Sequence, residues 1–327
     1  MKKSQRTKFR PKMAAAFVIF NIIFAILLAP FVVFWGPFHA LKVVAVGSVA
    51  TSRHPQYLRL FLSEQEIAKI MHANDQQGAG GFGSDIARDK VATDPSAGVE
   101  IEDISGQGFK GKVMLIHDPK LVKVAVTTKL GIEGERVSDM VKATGAIAGI
   151  NGGGFYDPDG KGNGGFPDGL TMHNGTLLHN NIGTAKADSV IGLDDKGKLV
   201  IQKMSADDLA KNHVQEAVTF GPALIIDGKP VVVGDGGWGI APRTGIGQTA
   251  DGTIIFVVID GRQPTWSIGA TLRDLMNVFA DYHAVNAVNL DGGSSSELVY
   301  NGKVMNRLWN VFGERYIPTS FVVMPAS

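Results

Sequence analysis

Cysteine is absent from all 327 residues. That excludes disulfides, thiol nucleophiles and cysteine-ligated zinc together, and it leaves the redox compartment unmarked. An excess of either charge is missing too: 32 basic and 31 acidic residues give a formal net charge of +1. Nothing in that total favours nucleic acid or a strongly acidic partner. No internal repeat of useful length is visible. What is present is a 44% hydrophobic, 19% charged composition with 41 glycines, which fits a globular chain with a sizeable core and many tight turns.

The charge is unevenly placed. Lys2, Lys3, Arg6, Lys8, Arg10 and Lys12 form a basic tail over residues 1–12, and Met13 to Phe38 then carries no ionisable side chain. About 20 apolar residues suffice to cross the hydrocarbon layer. Trp35 and Phe38 sit where an interfacial aromatic belt would lie, and a basic flank stays cytoplasmic. A cleavable signal peptide would have to use Ser48-Val49-Ala50, far beyond the apolar run. A buried core helix would show a polar face, and this run has none. The expectation is an uncleaved, single-pass anchor over residues 13–38 in the cell membrane, with everything after Phe38 outside.

Residues 39–97 read as a short helical segment and a linker. Ser63 and Glu66 form a capping pair before Ile67, Ile70 and Met71 at helical spacing. The glycine-rich "NDQQGAGGFGSDIARDK" that follows has no periodicity. The main domain is placed at residues 98–327. There, Asn174-Gly175, Asp227-Gly228, Asp251-Gly252 and Asn301-Gly302 each separate β-rich flanks and predict hairpins. "KVMLIHDPKLVKVAVTT" predicts two strands around Asp118-Pro119. One helix is expected from Arg136 to Thr144. A second follows the capping pair Thr271 and Asp274, with Leu272, Leu275, Met276 and Phe279 as its apolar stripe. The fold class is α+β, with mixed sheets and many hairpins.

The second helix is flanked by "TIIFVVID", ending at Asp260, and "VNAVNL", ending at Asp291. Strand, helix and strand with apolar β-branched runs predict a right-handed parallel crossover that places both carboxylates at one sheet edge. Asp291 then meets two glycines and three serines, which contribute nothing to a core. "AIAGINGGGFY" likewise runs a strand into Asn151, Gly152 and Gly153. Arg243 follows Pro242 before a strand, Arg262 follows Gly261, and Arg315 precedes another strand. Asn, Arg, Asp and bare glycine amides make a phosphate-friendly set.

Six segments in order, "GINGGGFY", "FGPALIIDGK", "APRTGIG", "VVIDGR", "NLDGGSSSELVYNGKV" and "GERYIPTSFVV", resemble the phosphodiester glycosidase family. The resemblance covers about the last 230 residues. Bacterial members of that family are often labelled exopolysaccharide-related. This chain reads Gly292-Gly293-Ser294 where the family usually has three glycines, and carries Glu297 where many relatives have a small residue. The resemblance implies hydrolysis of a sugar-1-phosphodiester at the anomeric carbon–oxygen bond.

In that reading Asp291 is the first catalytic candidate, Asp260 the second and Glu297 the third. Arg243 and Arg262 would hold the phosphate, with Arg315 behind them. Asn151, Gly152, Gly153, Asn289, Gly292, Gly293, Ser294 and Ser295 complete the substrate-contacting set. The plain alternatives are an Asp291 or Asn151 that only caps a turn, and arginines that only pair at the surface. No histidine is linked to the serines by a motif, and His283 on the second helix suits packing, so a serine triad is discounted. Asp157, Asp159 and Asn163 have calcium-loop-like intervals but no closing glutamate, so Tyr156 to Gly165 reads as a loop over a pocket. No cofactor is called for, and a divalent cation stays unsupported. The expected partners are a sugar-phosphate or glycopolymer substrate and the membrane. Two non-enzymatic readings compete: a glycopolymer-binding module of exopolysaccharide or cell-wall assembly, and an assembly protein with a vestigial domain.

Overall fold

The apolar run at the start folds as one helix, Pro11–Trp35. The computed structural model describes residues 11–50, 55–71, 86–93, 97–156 and 163–326. Within that helix, Ala15–Trp35 is long and apolar enough to cross a membrane, and almost none of it is buried against protein. Its last turn is the exception: Phe34 stacks on Phe61 at 4.9 Å and joins Val46, Leu58 and Leu62 in a small core. The partners come from a helix His39–Ala50 that the sequence reading did not separate, a 3-10 turn Pro55–Leu60 and the helix Glu64–Met71. Ser63 caps that last helix as expected: its hydroxyl accepts from the Glu66 amide, and its own amide donates to the Glu66 carboxylate.

The tail end of the expected linker is a strand. Ala87–Val91 pairs with Val99–Gly106 at the margin of an eight-stranded sheet, so the sheet domain begins before Gly98. From that margin the order continues through Phe109–Ile116, Ile254–Ile259, Arg243–Thr249, Ala284–Asn289, Ala223–Ile226 and Lys229–Pro230. Two five-stranded sheets cover one face. One contains Ala148–Asn151 between Leu298–Tyr300 and Thr319–Val323, and the other is built around Asp188–Asp194 and Val214–Thr219. Side chains of all three sheets meet in one core, including Met114, Phe256, Ile150, Phe321, Ile191 and Val218.

The opposite face of the large sheet carries the helix Leu272–Asp281, closed at its start by the Thr271–Asp274 capping box. Leu272, Leu275, Met276 and Phe279 are all buried on it. Each such side chain stabilises the fold by roughly 1.5–3 kcal/mol. Phe279 can lie flat on the strand Arg243–Thr249 because that strand presents glycine: a methyl at Gly245 or Gly247 would come within 2.8 or 2.7 Å of the ring.

All four predicted hairpins form, and the helix Val137–Thr144 falls where expected. The predicted crossover needs one correction. Ile254–Ile259 and Ala284–Asn289 do run parallel, but they are not neighbours. Arg243–Thr249 lies between them, antiparallel to both. An isolated apolar βαβ pattern carries no signal for an inserted third strand. A short helix Ala206–Lys211, closed by a Ser205–Asp208 capping box, was missed.

Candidate active site

The inserted strand keeps the edge argument intact. Arg243 stands opposite Ile259 and Gly245 opposite Asn289, so Asp260 and Asp291 leave the sheet on the same side. From Asp291 the chain crosses to the smaller sheet, where Leu298–Tyr300 pairs with Ala148–Asn151. Asn151 holds both ends of that crossing. Its Nδ2 donates to the Asp291 carbonyl at 2.6 Å, and its Oδ1 accepts from Thr244 Oγ1 at 2.8 Å and from the Glu297 amide at 3.1 Å. The buried Asn151 amide is therefore committed to scaffold bonds.

Asp291 itself is half-buried. Burial raises its carboxyl above the ordinary range, against a Ser295 hydrogen bond, the nearby Arg315 and the Gly292 amide, while Asp168 pushes it further up. Arg315 Nη1 donates to Ser294 Oγ at 3.0 Å and reaches Ser295 Oγ at 3.5 Å, so serine hydroxyls link guanidinium and carboxylate. Arg262 lies within electrostatic reach of the same carboxylate. Burial lowers its proton affinity, Arg315 lowers it further and Asp291 opposes both. A methyl at Gly293 would stand 3.3 Å from Arg262 Nη1, which places the Gly-Ser loop directly over that guanidinium. Aromatic rings wall the cluster: Arg315 lies 4.6 Å from the Phe155 ring centroid and Arg262 5.1 Å from that of Trp309. Two guanidiniums and hydroxyl donors around one carboxylate can hold a phosphate, each guanidinium offering a planar fork.

Several sequence-predicted site residues do something else. Asp260 is buried, with Oδ2 accepting from Trp266 Nε1 at 2.7 Å and Oδ1 from Asn306 Nδ2 and the Arg307 amide at 3.1 and 3.0 Å. It ties two loops together and faces a different cleft. Arg243 is buried too, its Nε on the Ala270 carbonyl and its Nη2 on those of Trp238 and Gly239. Burial, then the neighbouring Arg262, brings its pKa down to about 10. It braces the loop beside Arg262. The Gly152 and Gly153 amides donate to the Thr319 carbonyl and Oγ1 at 3.0 and 3.2 Å, and the Gly154 amide to the Thr219 carbonyl at 3.0 Å. These glycines serve close backbone packing instead of presenting amides to a ligand. The Gly292 amide caps the Asp291 carboxylate at 2.9 Å, and the Gly293 amide donates to the Pro242 carbonyl at 3.0 Å. Asn289 Nδ2 donates to the Gly221 carbonyl at 2.9 Å, while its buried Oδ1 has no protein partner.

One residue near Asp291, Asp168, was missed, and with it its neighbour His179. Asp168 follows a short strand, and burial raises its carboxyl, with Asp188 adding to the rise. His179 lies close by, its pKa lowered by burial. Asp168-Gly169 was legible as a turn, but a turn pair gives no hint that its carboxylate reaches Asp291. Asp157 and Asp159 of the calcium-like loop lie outside the described residues, and Asn163 donates to the Ile132 carbonyl. Among the described residues, no group of three or more His, Asp or Glu side chains is arranged to hold a metal ion.

Glu297 is buried, its Oε1 has no partner among the described residues, and its carboxyl meets that of Glu314. Glu314 is itself held by the Ser138 amide and hydroxyl at 3.1 and 2.7 Å. Two carboxyls in contact need a proton between them, and burial together with Glu314 pushes Glu297 well above the carboxylate range. The pair fastens the Gly-Ser loop to the segment that delivers Arg315. A raised folded-state pKa contributes stability that is complete below the unfolded value, about 4.3, and is lost as pH rises, by at most about 1.4 kcal/mol per unit. Glu297→Gln removes that titration. Its thermal midpoint should fall less than wild type between pH 5 and pH 9, and equal slopes would show that Glu297 is ionised in the fold.

An α+β domain with a carboxylate and two guanidiniums gathered at a sheet edge is the class the geometry defines. Residues 144–324, more than half of the chain, match the phosphodiester glycosidase (NAGPA) family, and the chain belongs to it. A curated relative, the SPbeta prophage-derived uncharacterized protein YomE of Bacillus subtilis (strain 168), is 29% identical over 199 residues, or 58% of this chain. The chain spans only 30% of that protein's length. Among solved structures, the catalytic domain of zebrafish N-acetylglucosamine-1-phosphodiester alpha-N-acetylglucosaminidase, auto-inhibited by its pro-peptide, superposes with a TM-score of 0.57 at 21% identity, covering 77% of this chain and 86% of that one. A hypothetical protein from Synechocystis gives 0.56 at 15%, covering 73% and 64%. At these identities the likeness is one of fold.

Proposed function

We propose that this chain is a membrane-anchored hydrolase that acts outside the cytoplasm on a sugar-1-phosphodiester of a cell-envelope or exopolysaccharide glycoconjugate. The observation that supports it most directly is Asp291 with Arg262 and Arg315 in electrostatic reach, in a family of phosphodiester glycosidases. In this reading the anomeric C–O bond breaks and its electron pair stays on the phosphate oxygen. Arg262 and Arg315 hold that oxygen as charge develops. The leaving group is a phosphate monoester with a second pKa near 6, so little acid assistance is needed. Asp291 supports the oxocarbenium-like carbon or activates the water that adds to it, and Asp168 is the second carboxylate in reach. The basic tail and the apolar Ala15–Trp35 span support a topology with the N-terminus inside and the sheet domain, from Ala87 onward, outside.

A panel of synthetic sugar-1-phosphodiesters, followed for release of free sugar and phosphate monoester by the full-length protein in detergent, tests the reaction. Release of sugar 1-phosphate and the aglycone alcohol, or saturable binding with no product from any member, would replace it, the former with a phosphodiesterase reaction at phosphorus and the latter with a glycopolymer-binding role.

A further inference from the structure

Asp260 opens onto a cleft of about 490 Å³ whose lining does not include Asp291 and does include Lys110, Lys112, Trp266, Asn306 and Arg307. Its floor is an oriented aromatic ring. The Trp266 indole N–H is fixed by the Asp260 carboxylate, yet the residue stays 39% exposed. Lys110 Nζ sits 3.9 Å from the ring centroid and the Arg307 guanidinium 5.4 Å. Neither cation forms an ion pair among the described residues, whereas Lys112 is neutralised by Asp103. Asp89 is the remaining acid on the rim.

The loops that build this cleft also build the other pocket. Residues 262 and 266 belong to one loop, and residues 307 and 309 to the other. Gln263 Nε2 joins the two loops at the Arg307 carbonyl, 3.0 Å away. Arg262 and Trp309 face the Asp291 side, and Trp266 and Arg307 the cleft. A fixed, partly exposed ring suits the C–H face of a sugar, and the two mobile side-chain cations over it can swing aside to meet a carboxylate or other acidic substituent. The volume lies within the roughly 300–1,000 Å³ of ligand clefts.

We infer that this cleft binds an acidic stretch of glycan, stacked on Trp266 with its negative groups at Lys110 and Arg307. That the stretch is part of the substrate rests on the proposed glycosidase reading; the binding itself does not. Calorimetric titration of the full-length protein in detergent with hexagalacturonate, and with neutral maltohexaose, tests it. Hexagalacturonate is expected to bind saturably and maltohexaose at least about tenfold more weakly. Trp266→Ala and the double variant Lys110→Ala/Arg307→Ala should each weaken hexagalacturonate about tenfold or more. The double variant breaks no buried contact, so it carries the test if Trp266→Ala fails to fold. Arg262→Lys should leave this affinity unchanged whatever it does to turnover, which separates failure here from failure of the glycosidase reading. No saturable binding, equal affinity for maltohexaose, or an unaltered double variant would each overturn the inference.

Discussion

Asp291→Asn should abolish turnover while the protein stays folded. Removing one member of a group that acts as a unit costs roughly four to six orders of magnitude in kcat. Asn keeps the shape and still accepts the Gly292 amide, but it can neither stabilise a developing cation nor take a proton from water. The effect on stability has the opposite sign. Asp291 is raised by burial, so its ionised form is a cost that grows as pH rises above the unfolded value of about 3.9. At neutral pH the variant should melt at or above the wild-type temperature. The same shift sets the acid limb of kcat/KM, where activity falls as pH drops through a value above the ordinary carboxylate range. A variant that melts several degrees lower and loses activity in proportion would reduce Asp291 to a turn residue.

The second large effect is expected from the guanidiniums. Arg315→Lys and Arg262→Lys each keep a positive charge but lose the planar fork. Arg315 also loses its paired reach to Ser294 and Ser295. Each change should lower kcat by about 10²–10³-fold, the usual cost of one preorganised donor on a developing anion. Arg243→Lys should differ in kind. A lysine cannot serve the Ala270, Trp238 and Gly239 carbonyls from that position, so the loss should appear first as a lower melting temperature. Near-normal turnover in both the Arg262 and Arg315 variants would remove the phosphate clamp.

Arg243 also illustrates where sequence reasoning stops. Pro-Arg before a strand reads the same whether the guanidinium faces a ligand or three carbonyls. Two of those carbonyls lie only four and five residues upstream, but no propensity sets the path of their irregular loop, and the third, Ala270, arrives by tertiary packing. Asp260 is a similar case: the strand end was legible, but the indole and amides that consume its carboxylate come from loops six and about 47 residues away. Local chemistry, by contrast, was readable. The capping pairs at Ser63 and Thr271, the Asn-Gly and Asp-Gly hairpins and the apolar stripe of Leu272–Asp281 depend on neighbours a few residues apart. Asp291 was legible because glycines and serines after an apolar strand have little other use. Asp168 was not, because its role depends on a crossing between sheets.

The helix His39–Ala50 meets the sheet domain closely. A methyl at Gly47 would stand 2.7 Å from the Ile240 carbonyl, beside the Trp238 and Gly239 carbonyls that grip Arg243. A domain on a coil tether would sweep a volume that widens with tether length. Docked through this helix, and with the apolar span in the bilayer as proposed, it is instead set at one altitude. Access to a phosphodiester would then depend on how far it projects from the lipid surface, so anchoring geometry would sort substrates before any side chain touches them.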